Sequence, residues 1–173
     1  MKKLISGIMA VAMALSLAAC QKETKVISLS GKTMGTTYHV KYLDEGSMNA
    51  TSEKTHEEIE AILKDVNAKM STYKKDSELS RFNQNTQVNT PIEISADFAK
   101  VLAEAIRLNK VTEGALDVTV GPVVNLWGFG PEKRPEKQPT PEQLAERQAW
   151  VGIDKIALDM SGAKPTLSKV LPQ

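Results

Sequence analysis

Cysteine and histidine are scarce in this sequence, with Cys20, His39 and His56 as their only representatives among 173 residues. A single thiol excludes an intramolecular disulfide framework, but a chain of this length can bury a core without one. No group of His, Cys, Asp and Glu has the spacing of metal ligands, and no convincing Ser-His-Asp set can be assembled. Walker-type and GxGxxG loops are missing as well. These absences exclude the common metal, nucleotide and serine-nucleophile motifs.

An excess of charge of one sign is also lacking. The formal net charge is +1, and without Lys2 and Lys3 the chain has 20 basic against 21 acidic side chains. Such a balance points neither to nucleic acid nor to a membrane surface held by charge, so we predict no nucleic-acid partner.

The one long apolar run lies at the N-terminus, over residues 4–17. It is shorter than the ~20 residues of a membrane span, and its order of basic, apolar and small residues is that of a secretory signal. Cys20 follows directly after Leu-Ala-Ala, which resembles the lipobox of bacterial lipoproteins. The resemblance predicts a signal peptide over 1–19, lipidation at Cys20 and a tether over 20–30. The alternative is an ordinary signal peptide with an incidental cysteine.

Hydrophobic periodicity predicts two strands and two helices in the first part of the mature chain. Residues 25–29 and 36–43 fit strands, the second with a period of two. Two helices follow, the second capped by Ser95 and ended by Gly114. Their predicted core faces comprise Ile59, Ile62, Leu63, Val66 and Met70 in the first, and Phe98, Val101, Leu102, Ala105 and Ile106 in the second.

The rest of the chain also combines helical patterns with strand patterns. A helix can open at Pro122, residues 130–139 read as a surface loop, and Thr140 begins another helix. Residues 155–158 and 166–170 read as a hairpin. We predict one α/β domain over 31–173, or more loosely α+β, with helices packed on a mixed sheet. The fold is expected to be truncated, because Gln173 follows a strand without a capping segment.

Three short blocks are denser in functional residue types than their surroundings. Residues 31–37 read GKTMGTT, where glycines would let a ligand approach the backbone closely. Residues 71–83 read STYKKDSELSRFN. Residues 114–122 read GALDVTVGP and run on through NLWGFG at 125–130.

Together the blocks resemble the ApbE family, the FAD:protein FMN transferases, in order and in spacing. The resemblance extends from Gly31 to Val170. It implies an ApbE-type fold and an enzyme that splits FAD, attaches FMN through a phosphoester to a threonine of a target protein, and releases AMP. Two alternatives remain: an FAD pyrophosphatase that passes FMN to water, and a lipid-anchored flavin-binding protein without catalysis.

The resemblance implies five flavin-site residues. Met34 matches a methionine that packs against FAD, Tyr73 matches a tyrosine that contacts the flavin, and Ala115, Leu116 and Asp117 match a stretch that lines the dinucleotide site. A thioether and an aromatic ring can pack on a flat ring system, and a carboxylate can accept hydrogen bonds from ribose or adenine. Taken alone, Met34 is by default a core residue, Tyr73 is by default a half-buried helix-end residue, and Asp117 is by default a helix cap.

The resemblance also implies Mg2+, which would neutralise the pyrophosphate. Its ligands and the catalytic residues are expected beyond Gln173, so the 173 residues alone are expected to be inactive. The implied target is a subunit of a membrane redox pump such as the sodium-translocating NADH:quinone reductase. We therefore predict a lipid-anchored protein at the periplasmic side of the cell membrane, with the inner membrane favoured over the outer.

Overall fold

The computed structural model describes residues 24–46, 51–132 and 134–170. The predicted signal peptide and Cys20 lie outside the described residues. Of the helices described, none combines the length and the apolar character needed to cross a membrane. The chain divides into two compact units, one ending at Leu63 and the other beginning at Lys64.

The N-terminal unit is built on a β-hairpin. Strand β1 (Lys25–Thr33) pairs antiparallel with β2 (Thr36–Asp44), in a register that ends at Thr33 opposite Thr36. Both predicted strands are confirmed, although β1 runs four residues past the predicted end and starts inside the range assigned to the tether. The extension follows from the two-residue turn, because the pairing continues up to Met34 and Gly35.

Helix α1 (Ser52–Met70) begins in the N-terminal unit and ends in the C-terminal one. Ile59, Leu63, Val66 and Met70 are partly buried, as predicted. Ile62 is 63% exposed, so its assignment to the core face was wrong. Successive helical residues are about 100° apart, which places Ile62 beside the narrow stripe formed by Ile59 and Leu63.

The C-terminal unit holds the buried core. Strands β3 (Ile92–Glu93), β4 (Ile156–Asp159) and β5 (Thr166–Lys169) form a sheet in the order β3-β5-β4. Helices α2 (Glu78–Gln84) and α3 (Ala96–Val111) supply the other side of the core. The buried cluster consists of Phe82, Ile94, Phe98, Ala99, Leu102 and Leu167.

Helix α3 has the predicted cap at each end. Ser95 Oγ accepts a hydrogen bond from the Phe98 amide at 3.3 Å. At the other end, the Gly114 amide donates to the Asn109 carbonyl at 2.8 Å and Glu113 takes a left-handed φ of 53°. This is a Schellman motif, and Gly114 is part of it as predicted. Val101 is 54% exposed, so its assignment to the core face was wrong; it lies at the edge of the stripe formed by Phe98 and Leu102.

Two short helices and a turn complete the unit. Helix α4 (Gly121–Leu126) carries Pro122 in its first turn, and α5 (Pro141–Gln148) starts with a capping box between Thr140 and Gln143. A 3-10 turn (Ile153–Lys155) leads into β4. Both helix starts and the β4–β5 hairpin are confirmed.

The predicted fold class, an α/β protein in the α+β sense, is confirmed, but the sheet differs from the single mixed sheet expected. The described strands form two separate sheets, and every described pairing is antiparallel. Two of these pairings are hairpins with short connections, whereas a parallel pair needs a crossover of a dozen or more residues.

Candidate functional site

Met34 lies at the tip of the hairpin in the N-terminal unit. Its φ is 51° and that of Gly35 is 76°, which are the signs of a type I′ turn. Asn is preferred at the first of these positions, and a methionine there is an unusual choice with a conformational cost. The side chain is 56% exposed, so the alternative that Met34 is a core residue does not hold.

Tyr73 stands in the loop between α1 and α2, in the C-terminal unit. Its side chain is 70% exposed, which excludes the alternative of a half-buried helix-end residue. The backbone around it is held: the amides of Tyr73 and Lys74 each donate to Ser71 Oγ at 3.2 Å. An exposed ring on a hydrogen-bonded loop is available to a flat ligand.

An ion-pair network holds the end of α1 that leads into this loop. Lys69 donates to Asp65 on its own helix and to Asp97 on α3, the latter at 2.7 Å. The bonds to the two carboxylates raise the pKa of Lys69, and the bond from Lys69 lowers the pKa of Asp97. The network therefore ties the last turn of α1 to the first turn of α3.

Ala115 and Leu116 form a turn directly after the Schellman motif. The Ala115 amide donates to the Thr112 carbonyl at 3.0 Å, and the Leu116 amide to Thr112 Oγ1 at 3.1 Å. Asn109, which is buried, donates through Nδ2 to the Leu116 carbonyl at 2.8 Å. Hydrogen bonds with side chains at the end of α3 thus fix the backbone conformation of this segment.

Asp117 organises the segment that follows. Its Oδ1 accepts from the Thr119 amide at 2.8 Å and from Thr119 Oγ1 at 2.6 Å. Thr119 Oγ1 in turn accepts from the Gly152 amide at 2.7 Å. The alternative of a helix cap fails because the cap position of α4 is Val120, which makes no side-chain cap bond. One carboxylate oxygen of Asp117 therefore shapes a turn.

The structure places four of the five predicted flavin-site residues on loops of the C-terminal unit, and Met34 in the N-terminal unit. Sequence reasoning missed the residues that hold these loops: Ser71, Ser77, Ser80, Asn109 and Thr119. A signal existed for Ser77, because a serine followed by a glutamate favours a helix start.

The described residues do not fit a metal site. Within residues 24–46, 51–132 and 134–170, no three or more side chains of His, Cys, Asp or Glu come together in a way that could hold an ion. No chemical step on these residues is therefore assigned to Mg2+.

Comparison with known proteins identifies the family. The sequence model of the ApbE family matches residues 34–171, which include nearly all of the three blocks. This chain belongs to the ApbE family. It is 94% identical over 173 residues to the FAD:protein FMN transferase of Haemophilus influenzae, covering all of this chain and 50% of that protein.

Solved structures of the family share its fold. The flavin transferase ApbE from Vibrio cholerae superposes with a TM-score of 0.77 at 53% identity, over 84% of this chain and 45% of that one. The apo flavinyl transferase ApbE of Pseudomonas stutzeri gives a TM-score of 0.76 at 34% identity, over 84% and 47%. This ApbE-family chain spans about half the length of the curated relatives it matches. The predicted family and fold are confirmed, while the assignment of the flavin-site residues stays a prediction.

Proposed function

We propose that this chain forms the flavin-binding part of an FAD:protein FMN transferase. In the proposed reaction, a threonine hydroxyl of a target protein attacks the FMN phosphorus of FAD. A bond forms between the threonine oxygen and that phosphorus, the pyrophosphate bond breaks, and AMP leaves with the bonding electrons. The hydroxyl proton goes to a general base.

The family membership of residues 34–171 carries this proposal. The Haemophilus influenzae relative, which is 94% identical to this chain over all 173 residues, is an FAD:protein FMN transferase.

The local geometry supports the same assignment. Met34 keeps an exposed thioether at a conformationally costly position, and Tyr73 keeps an exposed ring on a held loop. Neither residue is required for the buried core. Lys74 and Lys75 follow Tyr73 and are exposed, so they place positive charge next to the ring. This charge would attract the anionic pyrophosphate of FAD.

The proposal also includes a metal ion, a target protein and a location in the cell. Mg2+ would neutralise the pyrophosphate, but the described residues supply no ligand cluster for it. The acceptor is a threonine on a subunit of a membrane redox pump. Lipid on Cys20 would hold the protein at the periplasmic face of the inner membrane, next to such a target.

A binding experiment tests the flavin site. Purified chain is titrated with FAD and followed by flavin fluorescence. Tyr73→Ala is expected to raise the dissociation constant about 5- to 150-fold, because loss of one aromatic stacking partner is worth ~1–3 kcal/mol. The melting temperature should hardly change, since the ring is exposed.

Trp150→Ala is the control, since Trp150 is also an exposed aromatic side chain but lies outside the three blocks. It should leave FAD affinity unchanged. An unchanged dissociation constant for Tyr73→Ala, or an equal loss for both variants, would contradict the proposed role of Tyr73. Failure of the unmodified chain to bind FAD would contradict the proposed function.

The products separate the candidate activities. With the full-length relative of Haemophilus influenzae, which is 94% identical to this chain, incubation with FAD, Mg2+ and a threonine-containing target gives covalent flavin and AMP for a transferase, free FMN and AMP for a pyrophosphatase, and intact FAD for a binding protein. We expect the 173 residues by themselves to leave FAD intact. The described residues form no metal site, and the chain corresponds to 50% of the length of the Haemophilus influenzae relative.

A further inference from the structure

Two buried hydroxyl groups converge on one backbone carbonyl beside the Tyr73 loop. Ser77 Oγ donates to the Ser71 carbonyl at 2.5 Å, and Ser80 Oγ donates to the same oxygen at 3.1 Å. The Ser77 residue is 0% exposed and Ser80 is 6% exposed. A buried hydroxyl without a partner costs free energy, so both are strongly held to this acceptor.

The Ser71 carbonyl is connected to Tyr73 through Ser71 itself. The Ser71 hydroxyl accepts from the amides of Tyr73 and Lys74. A continuous path of hydrogen bonds therefore runs from Ser77 and Ser80, through Ser71, to the Tyr73 backbone. Ser77 also caps α2, because its Oγ accepts from the Ser80 amide at 3.0 Å.

Helix α2 holds the outer part of the same loop. Arg81 Nη1 donates to the Asp76 carbonyl at 2.6 Å, and Gln84 Nε2 donates to the Lys75 carbonyl at 3.2 Å. The exposed ring of Tyr73 contributes little packing to the loop. Apart from backbone bonds such as that from the Ser77 amide to the Lys74 carbonyl at 3.2 Å, the order of residues 71–76 therefore depends on polar side chains of α2 and its cap.

We infer that Ser77 and Ser80 are positioning residues for Tyr73 in flavin binding. The inference rests on the proposed function and identifies the groups that hold Tyr73 of the proposed flavin site in place. When a binding-competent conformation is only partly populated, the apparent dissociation constant rises by the inverse of that fraction. Removing both hydroxyls leaves the Ser71 carbonyl without these two donors and lets the loop leave the competent conformation.

The test compares FAD binding by the whole chain in four forms: unmodified, Ser80→Ala, Ser77→Ala/Ser80→Ala, and Ser95→Ala. Ser95 is the matched control, because it caps α3 through the Phe98 amide as Ser77 caps α2, and its side-chain bond lies outside the Tyr73 loop. The double variant should bind FAD about tenfold more weakly if the competent fraction falls to about a tenth. Ser80→Ala should show a smaller loss, and Ser95→Ala should lower only the melting temperature.

A double-mutant cycle shows whether the serines act through Tyr73. In a Tyr73→Ala background, the two serine substitutions should cause no further loss of FAD affinity, because the group they position is already gone. Trypsin cleavage after Lys74 and Lys75 gives a second measurement without FAD. It should accelerate in the double variant and stay unchanged in Ser95→Ala.

The outcomes are distinct. Unchanged FAD affinity in the double variant, an equal loss in Ser95→Ala, or a further loss in the Tyr73→Ala background would each overturn the inference and leave the proposed function standing. Unchanged trypsin cleavage would show that the hydroxyls do not order the loop, and would overturn the inference as well. Absence of FAD binding by the unmodified chain would instead overturn the proposed function, and the inference with it.

Discussion

Gly31 shows at the residue scale how a glycine in a functional block can serve packing. It pairs with Tyr38 across the hairpin, and a Cβ at Gly31 would clash with Glu60 Oε1 and lie 2.6 Å from Tyr38 Cε1 and 2.7 Å from its hydroxyl oxygen. The sequence interpretation assigned this glycine to the close approach of a ligand. In the structure, the Glu60 carboxylate and the Tyr38 ring fill this space.

The Tyr38 hydroxyl is itself engaged on two sides. It donates to Glu60 Oε1 at 2.5 Å, and His56 Nε2 lies 2.9 Å from it. Because the single hydroxyl proton points to Glu60, the proton between Tyr38 and His56 belongs to Nε2. The bond to Glu60 raises the pKa of Tyr38 to about 12.

Gly31→Ala should therefore destabilise the protein. The added methyl forces Tyr38 away from Glu60 and His56, and overpacking of this kind costs about 1–3 kcal/mol. Thermal unfolding followed by circular dichroism measures the change. Gly121→Ala is the control, because a Cβ there has no neighbour within 4 Å and the backbone is not left-handed. Equal melting temperatures for both variants would show that Tyr38 can move without cost.

At the element scale, the hairpin has one turn position, Met34, at which the residue favoured by the turn differs from the residue favoured by the predicted ligand contact. Its two-residue connection needs positive φ at both positions, which Gly35 satisfies freely and Met34 does not. A residue that conflicts with the local preference of its element points to a role outside that element.

Met34→Asn should raise stability and lower FAD affinity together. Asn tolerates the left-handed region, so relief of the strain is worth about 1 kcal/mol, while the thioether that would pack on FAD is lost. The melting temperature and the FAD dissociation constant are measured on the same preparation. If the melting temperature rises and FAD affinity stays the same, Met34 is not a flavin contact.

Location is a property of the whole molecule. The prediction of a lipid anchor depends on Cys20, which lies outside the described residues. Cys20→Ser should release the protein from membranes into the periplasm, because each buried acyl methylene contributes about 0.8 kcal/mol of membrane affinity. Fractionation followed by immunoblotting measures the distribution, and mass spectrometry verifies that the signal has been removed. A processed Cys20→Ser protein that still pellets with membranes would contradict the lipoprotein prediction.

Much of the fold was predictable because its elements depend on local chemistry. Ser95, Thr140 and Gly114 mark helix ends through bonds to residues close in sequence, and these positions were predicted correctly. Ile62 and Val101 were assigned to core faces and are exposed. Periodicity identifies a stripe, but the width of the stripe that is buried depends on what packs against it.

The sequence by itself determined the family, the order of strands and helices and the three blocks that carry the predicted flavin site. Only the tertiary structure decided what supports that site. The Gly152 amide, 33 residues away in sequence, donates to Thr119 Oγ1, and two buried serines hold the loop of Tyr73. The sequence does not indicate which hydrogen-bond partner a given hydroxyl or carbonyl group will have. The partners are chosen when burial removes water and leaves each polar group to the nearest one that the fold provides.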